Sequence, residues 1–298
     1  MKSLFSTSPT PDTDYAHVWR RVHEVDGAVE RIDRMWSELR QYADSNFVRE
    51  FPLHPYERSW ELILGATLLR RGHRLAVKGS RGPDFKVLLD DRCVWIEATS
   101  PTAGTGPDSI PSPPPDALFD YPERQTILRI RGAIEAKHSQ FGSFVSSGLV
   151  DPTDCFVIAV NSMQFPFLVD DPNSPAILKA VLPFGRPQLL VNRQTGEMRD
   201  GTFEYRPAIE KLNGSEVAMS CFLDPAYAQV SAVLLSEANF LMDADSEFAN
   251  RYTTLVHNPL ATTPLPRGWL GFGSEIVIRV DDDNVTWSLA RSQFGGSG

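Results

Sequence analysis

Glu97 interrupts the apolar run VWIEATS (94–100), and Pro83-Asp84 opens the run PDFKVLL (83–89). A carboxylate inside an apolar strand is costly unless it is paired, hydrogen-bonded or metal-bound. If the two runs form a hairpin, their strands lie about 4.8 Å apart. Asp84 and Glu97 then converge on one hard cation, provided the register matches. Carboxylate oxygens suit Mg²⁺ or Mn²⁺. Glu61, eleven positions before Gly72, offers a third acid from a leucine-rich segment, and Glu57, one turn earlier, is its alternative. Each residue also has a plain structural role open to it. An edge strand with one polar face accommodates Glu97. Pro-Asp is a common turn dipeptide, and Glu61 fits a solvated helix face.

The elements that must position these acids follow from periodicity. Leu62, Leu64, Leu68 and Leu69 give a helix from about 56 to 71 its apolar surface, and Gly72 stops it. Three strand-like runs follow at 74–80, 83–89 and 93–100, with Asp90-Asp91 marking the turn between the last two. In the third run Val94 and Ile96 share one face, and Trp95, Glu97 and Thr99 share the other. Residues 122–145 turn helical behind Pro122, and CFVIAVN (155–161) is a buried-strand run.

Outside this block, apolar residues recur at three- and four-residue steps from about 15 to 47, predicting one N-terminal helix with Asp14 as its cap. Residues around RQTG (189–200) suggest a hairpin. Strands are expected at 230–238 and 253–259, and a further hairpin at 275–290. The predicted architecture is α/β: a mixed central sheet flanked by helices, with an N-terminal helix packed outside and an inserted β-rich segment. The boundaries fall at 1–46 (tail and helix), 47–161 (α/β core), 162–229 (insertion) and 230–298 (completing strands and C-terminal hairpin).

The chain of 298 residues carries 38 acidic and 29 basic side chains, a net charge of −9. That balance argues against coating nucleic acid by bulk charge but leaves room for a local basic groove. No apolar run reaches the roughly 18 residues of a membrane span. The first residues lack the apolar core of a secretory signal. Three scattered cysteines form no disulfide framework and no CxxC site, so a reducing cytoplasm is the expected setting. The sequence contains no GxSxG elbow, P-loop or HExxH. The six histidines form no metal motif.

Glu61 on a leading helix, Pro83-Asp84 in GPDFKVLL and Glu97-Ala98-Thr99 in VWIEATS together resemble the PD-(D/E)xK nuclease superfamily, the restriction-endonuclease-like fold. The resemblance covers about 47–161 and extends to the strand near 230–236. It implies that Asp84, Glu97 and the Ala98 carbonyl bind Mg²⁺ (or Mn²⁺), with Glu61 assisting, and that the chain hydrolyses phosphodiester bonds of DNA or RNA. Thr99 departs from the pattern, because a lysine is expected there. Lys86, two residues after Asp84, and Lys137, on the following helix, are the possible replacements, with Lys137 favoured. Gln140 followed by Phe144 resembles a helix motif of exonuclease-like members. Arg129, Arg131, Lys137 and His138 would give that helix a phosphate-facing side, and Arg81 in the basic segment 70–86 would track a nucleic-acid backbone.

The missing lysine and the acidic charge equally suit a catalytically inactive nuclease fold that acts as a binding or scaffold protein. Seven prolines in 101–122 exclude a helix or central strand there. That segment is expected to act as a flap beside the site or as a docking strip for a protein partner.

Overall fold

The computed structural model describes residues 3–77, 79, 81–115, 119–166, 174–244, 251–281 and 284–291. The N-terminal region forms two helices rather than the single one expected: α1 (Asp14–His23) and α2 (Ala28–Leu39). The break falls at Gly27, whose φ of +71° lies in the left-handed region that glycine tolerates. The α1 cap is Thr13, not Asp14, and its side chain accepts from the Ala16 amide at 3.1 Å. A short helix α3 (Phe47–Glu50) precedes α4 (Pro55–Arg70), which begins with Pro55 in its first turn. As expected, α4 ends at Gly72, where φ is +84° and the Gly72 and His73 amides close on the carbonyls of Leu69 and Leu68.

Three strands follow: β1 (Arg74–Leu75), β2 (Phe85–Leu88) and β3 (Cys93–Thr99). They run antiparallel as a meander. The strand expected over 74–80 is shorter among the described residues: Arg74 and Leu75 pair with Leu88 and Val87 of β2, and the Ala76 amide adds one bond to Lys86 O at 2.8 Å. The chain then crosses through the long helix α5 (Glu123–Ser146) to β4 (Cys155–Asn161), which lies parallel to β3.

Further strands extend the sheet beyond β4. The expected β-rich insertion contains a helix as well: α6 (Ala176–Val181) precedes the ribbon of β5 (Phe184–Val191) with β6 (Met198–Tyr205) and the small pair β7 (Ala208–Glu210) and β8 (Glu216–Ala218). The chain returns through β9 (Ala232–Ser236), β10 (Thr253–His257), β11 (Ser274–Asp281) and β12 (Asn284–Arg291). Among the described residues the large sheet has eight strands in the order β1-β2-β3-β4-β9-β10-β11-β12 and mixes parallel and antiparallel pairs. The turn residues Asp282 and Asp283 lie outside the described residues.

Burial explains the sequence pattern of the central strands. All seven residues of β4 are buried, since helices cover both sheet faces. On one face Val94, Ile96, Val157, Ala159 and Leu234 pack with Ile63, Leu64 and Leu68 of α4 and with α1 and α2. On the other face Phe156, Ile158, Val160 and Val233 pack with Ile127, Ile130 and Ile134 of α5 and with α6. Gly65 lets α4 sit close to the sheet. A Cβ there would lie 2.9 Å from Phe85 Cε1 and 2.5 Å from Leu39 Cδ1. No described helix is long and apolar enough to cross a membrane.

The described part of the Pro-rich segment 101–122 is tied down rather than free-standing. Ile110 is buried, its amide donates to Ala103 O at 2.9 Å, and Asp108 pairs with Arg124 of α5 at 2.8 Å. Residues 116–118 lie outside the described residues.

Candidate active site

The β2–β3 register pairs Phe85 with Ile96 and Lys86 with Trp95. One further step along that register sets Asp84, just before β2, opposite Glu97 on the same face. Side chains directly opposite in an antiparallel pair have Cβ atoms about 4.5–5.5 Å apart. Asp84 Oδ2 accepts from the Ala98 amide at 2.8 Å, so the carboxylate caps the end of the hairpin. The N–H and C=O of one strand residue point to the same side. The Ala98 carbonyl is therefore directed past the end of β2, toward Asp84.

Glu97 is 4% exposed, and it faces the α5 side of the sheet. Lys137 reaches across from α5, where its Nζ donates to Glu97 Oε1 at 2.9 Å and to Gln140 Oε1 at 3.2 Å. Burial pulls the Lys137 pKa down, but attraction to Glu97, reinforced by Asp84 and Glu57, outweighs it. The ammonium therefore titrates above the ordinary lysine value. Thus the hairpin end, α5 and the start of α4 bring two carboxylates, one ammonium and a second glutamate into mutual electrostatic range.

Glu61 is engaged differently. Arg58 Nη1 donates to both its carboxylate oxygens, at 3.0 and 2.7 Å, and Arg58 Nη2 also binds Glu50. The guanidinium lies 5.5 Å from the Phe47 ring centroid. Burial lowers the Arg58 pKa, and Glu61, Glu50 and Asp84 raise it further than that. Arg58 is therefore attracted both by the leading-helix acid, which it binds, and by the strand acid. Its pairing with Glu61 is an i,i+3 contact that helix spacing alone allows. Glu57, half exposed and 3.8 Å from His54, is a helix acid whose charge reaches Lys137.

The remaining expected site residues disperse. Lys86 shares the face of Glu97, but its Nζ lies over the Trp95 ring, 4.7 Å from the centroid. Trp95 is itself held by Asp154, which accepts from its Nε1 at 2.8 Å and from the Cys93 amide at 2.8 Å. Arg129 donates to Thr102 O at 2.9 Å and so helps anchor the Pro-rich segment. Arg131, expected to face phosphate, is 5% exposed. It donates to Tyr227 Oη at 2.7 Å and to Ala218 O at 3.0 Å, because its position on α5 points it at the end of β8 and the β8–β9 connection. His138 stacks on the same Tyr227 at 4.1 Å. Arg81 is exposed in the loop three residues before Asp84. Lys78 lies outside the described residues. Thr99, at the end of β3, supplies no charge.

Among the described residues no group of three or more His, Cys, Asp or Glu side chains is placed to hold a metal ion. Two carboxylates and a backbone carbonyl still match the chemistry of Mg²⁺, which takes oxygen ligands and retains several waters when bound through one or two carboxylates. Asp84, Glu97 and the Ala98 carbonyl are the residues that would hold it. Lys137 would have to yield Glu97 Oε1 or share it. Comparison with protein-family models, curated proteins and solved structures returned no match for the chain.

Proposed function

We propose that the chain is a divalent-metal-dependent phosphodiester hydrolase acting on nucleic acid, built on a PD-(D/E)xK-type core. The observation that carries this reading is the convergence of Asp84 and Glu97 across the β2–β3 hairpin with Lys137 donating to Glu97. The element order around it, helix α4, an antiparallel meander, helix α5 and a parallel strand, supports the same reading.

In this reading Asp84, Glu97 and the Ala98 carbonyl bind Mg²⁺ or Mn²⁺. When bound, the ion supplies an activated water and neutralises charge on the phosphodiester. Lys137 replaces the lysine absent at Thr99. From α5 it holds a positive charge beside Glu97, where it orients water and stabilises negative charge developing on the phosphoryl oxygens. Glu57 steadies the Lys137 ammonium. Arg58 binds Glu61 and offsets the charge of Asp84.

The test is cleavage of labelled single- and double-stranded DNA and RNA with Mg²⁺ or Mn²⁺, alongside Asp84→Ala, Glu97→Ala and Lys137→Ala. Metal-dependent cleavage lost in all three variants supports the assignment. Cleavage that survives in both acid variants would sink it.

One observation favours a second reading, a nuclease-like fold kept for binding. The two acids are already compensated from within, Glu97 by Lys137 and Asp84 by its Ala98 bond and the nearby Arg58. Titration calorimetry separates the two: a binding-only protein gives no Mg²⁺ or Mn²⁺ heat that Asp84→Ala removes.

A further inference from the structure

Among the described residues, the far end of the sheet is an open edge: there β12 pairs with β11 alone, in eight consecutive register pairs from Ser274↔Arg291 to Asp281↔Asn284 with no bulge. Every second N–H and C=O along its outer side is left for another strand. Edge strands are usually guarded by charge, proline, a bulge or a covering element. Here the run NVTWSLA (284–290) contains no charged residue and no proline, and Leu289 is 40% exposed.

The β5–β6 ribbon joins this edge. Phe184 and Phe203 contact Trp287 of β12, with ring centroids 4.7 and 5.1 Å apart. Toward its tip the ribbon exposes Leu189 (70%) and Met198 (72%). An isolated two-stranded ribbon is marginal in water. Apolar side chains this exposed are costly for it unless something covers them.

We propose that the occupant is a second copy of this chain. Two copies pair through their β12 edges about a twofold axis, and each β5–β6 ribbon packs on the other copy. Charge selects this partner. The chain as a whole carries −9, so two copies repel wherever they meet on average surface. The ribbon (184–205) carries three arginines and three acids, and β12 carries one charge, Arg291 at its very end, so these stretches are nearly neutral and self-compatible. The same neutrality makes them a poor surface for nucleic acid, which demands net positive charge.

Twofold pairing of identical strands is necessarily antiparallel and closes after two copies. Edge pairing over eight residues covers a strip roughly 27 Å long and about 10 Å deep. A standard interface takes about 800 Å² per partner, so the ribbon must contribute. The sites at β2 and β3 then lie toward the outer ends of a continuous sheet, clear of the contact.

Sedimentation equilibrium of the full chain over a wide protein concentration range is the test, run with Leu289→Lys and with the double variant Leu189→Glu/Met198→Glu. The expected result is a wild-type dimer whose dissociation constant rises at least tenfold in both variants, with unchanged circular dichroism. Amide exchange in 284–290 should also slow as wild-type concentration rises. A wild type that stays monomeric, open-ended assembly, or variants that dimerise as wild type does would overturn the proposal. So would capture of nucleic acid or another protein by this face without self-association.

Discussion

Lys137 of α5 and Glu97 of β3 meet at 2.9 Å although forty residues separate them in the chain. The glutamate side chain is 5% exposed and the lysine 22%. This pair joins the crossover helix to the strand that carries the candidate site. Removing one partner of a buried pair leaves a charge that water cannot reach. Lys137→Met should therefore cost about 2 kcal/mol at neutral pH, measured by urea denaturation. The folded-state lysine titrates above the ordinary 10.5, so its contribution is complete below that value. It is lost as pH rises through the raised folded value. The stability gap between wild type and variant should close in strongly alkaline solution. Equal stability at pH 7 would show that the pair contributes nothing.

Asp84 has two separable roles, and two substitutions separate them. Its Oδ2 accepts from the Ala98 amide, a structural bond. Asp84→Asn keeps an acceptor oxygen and should stay within about 1 kcal/mol of wild type, whereas Asp84→Ala should lose about 1–2 kcal/mol. On the proposed function both variants should lose Mg²⁺ and Mn²⁺ binding in calorimetry. If Asp84→Asn binds metal as wild type does, Asp84 is a hairpin cap and not a ligand.

Arg58 holds Glu61 and Glu50 together and is 15% exposed. Arg58→Ala leaves two acids facing each other near Asp84. It should cost about 2–4 kcal/mol by urea denaturation. Arg58→Lys should recover only part of this, because one ammonium cannot serve Glu61 and Glu50 from two separate nitrogens as Nη1 and Nη2 do. Full recovery by lysine would mean that only the charge matters there.

Much of the positioning frame is legible in the chain. Leucine spacing and Gly72 define α4, the apolar runs define β3 and β4, and Asp90-Asp91 marks the turn between β2 and β3. Those features are local, so periodicity and turn chemistry report them. The convergence of Glu97 with Lys137 depends on which side of α5 meets the sheet, and residue spacing on one helix cannot fix that. Arg131 illustrates the limit. Only six residues before Lys137, it is buried against Tyr227, a partner ninety-six positions away. Arg58 stands three residues before Glu61, and such a spacing does not mark a site, because an i,i+3 ion pair is an ordinary surface feature until burial makes it expensive. The β12 edge could not be foreseen from 275–290 alone, since hairpin alternation does not say which strand is outermost.

The buried pair of His257 and Glu275 sets an acid limit to stability. Glu275 accepts from His257 Nε2 at 3.0 Å and from the Gly268 amide at 2.8 Å. Burial raises its pKa, but these donors outweigh burial and hold it below the ordinary glutamate value of 4.5. Its contribution is present above 4.5 and is lost as pH falls through the lower folded value. Glu275→Gln should cost about 1–3 kcal/mol at pH 7, and the gap should shrink below about pH 4.5. A gap that does not change with pH would remove the carboxylate from the account.

Gly65 links packing to the candidate site. It lies on α4 against Phe85, the first residue of β2 and the neighbour of Asp84. An added methyl group would meet Phe85 at 2.9 Å and Leu39 at 2.5 and 3.0 Å, closer than real Cβ contacts allow. Alanine raises helix propensity by up to about 1 kcal/mol over glycine, so an unconstrained Gly65→Ala would stabilise. Overpacking a tight interior costs about 1–3 kcal/mol. It should win here, because the contacts come from two different elements, Leu39 of α2 and Phe85 of β2, packed against the same point of α4. Gly65→Ala should therefore unfold at lower urea concentration than wild type. If the packing of α4 sets the position of β2, the same variant should also weaken metal binding at Asp84 and Glu97 without touching either carboxylate. A stabilised Gly65→Ala would mean that α4 and β2 yield readily, and that the hairpin end is positioned by β3 alone.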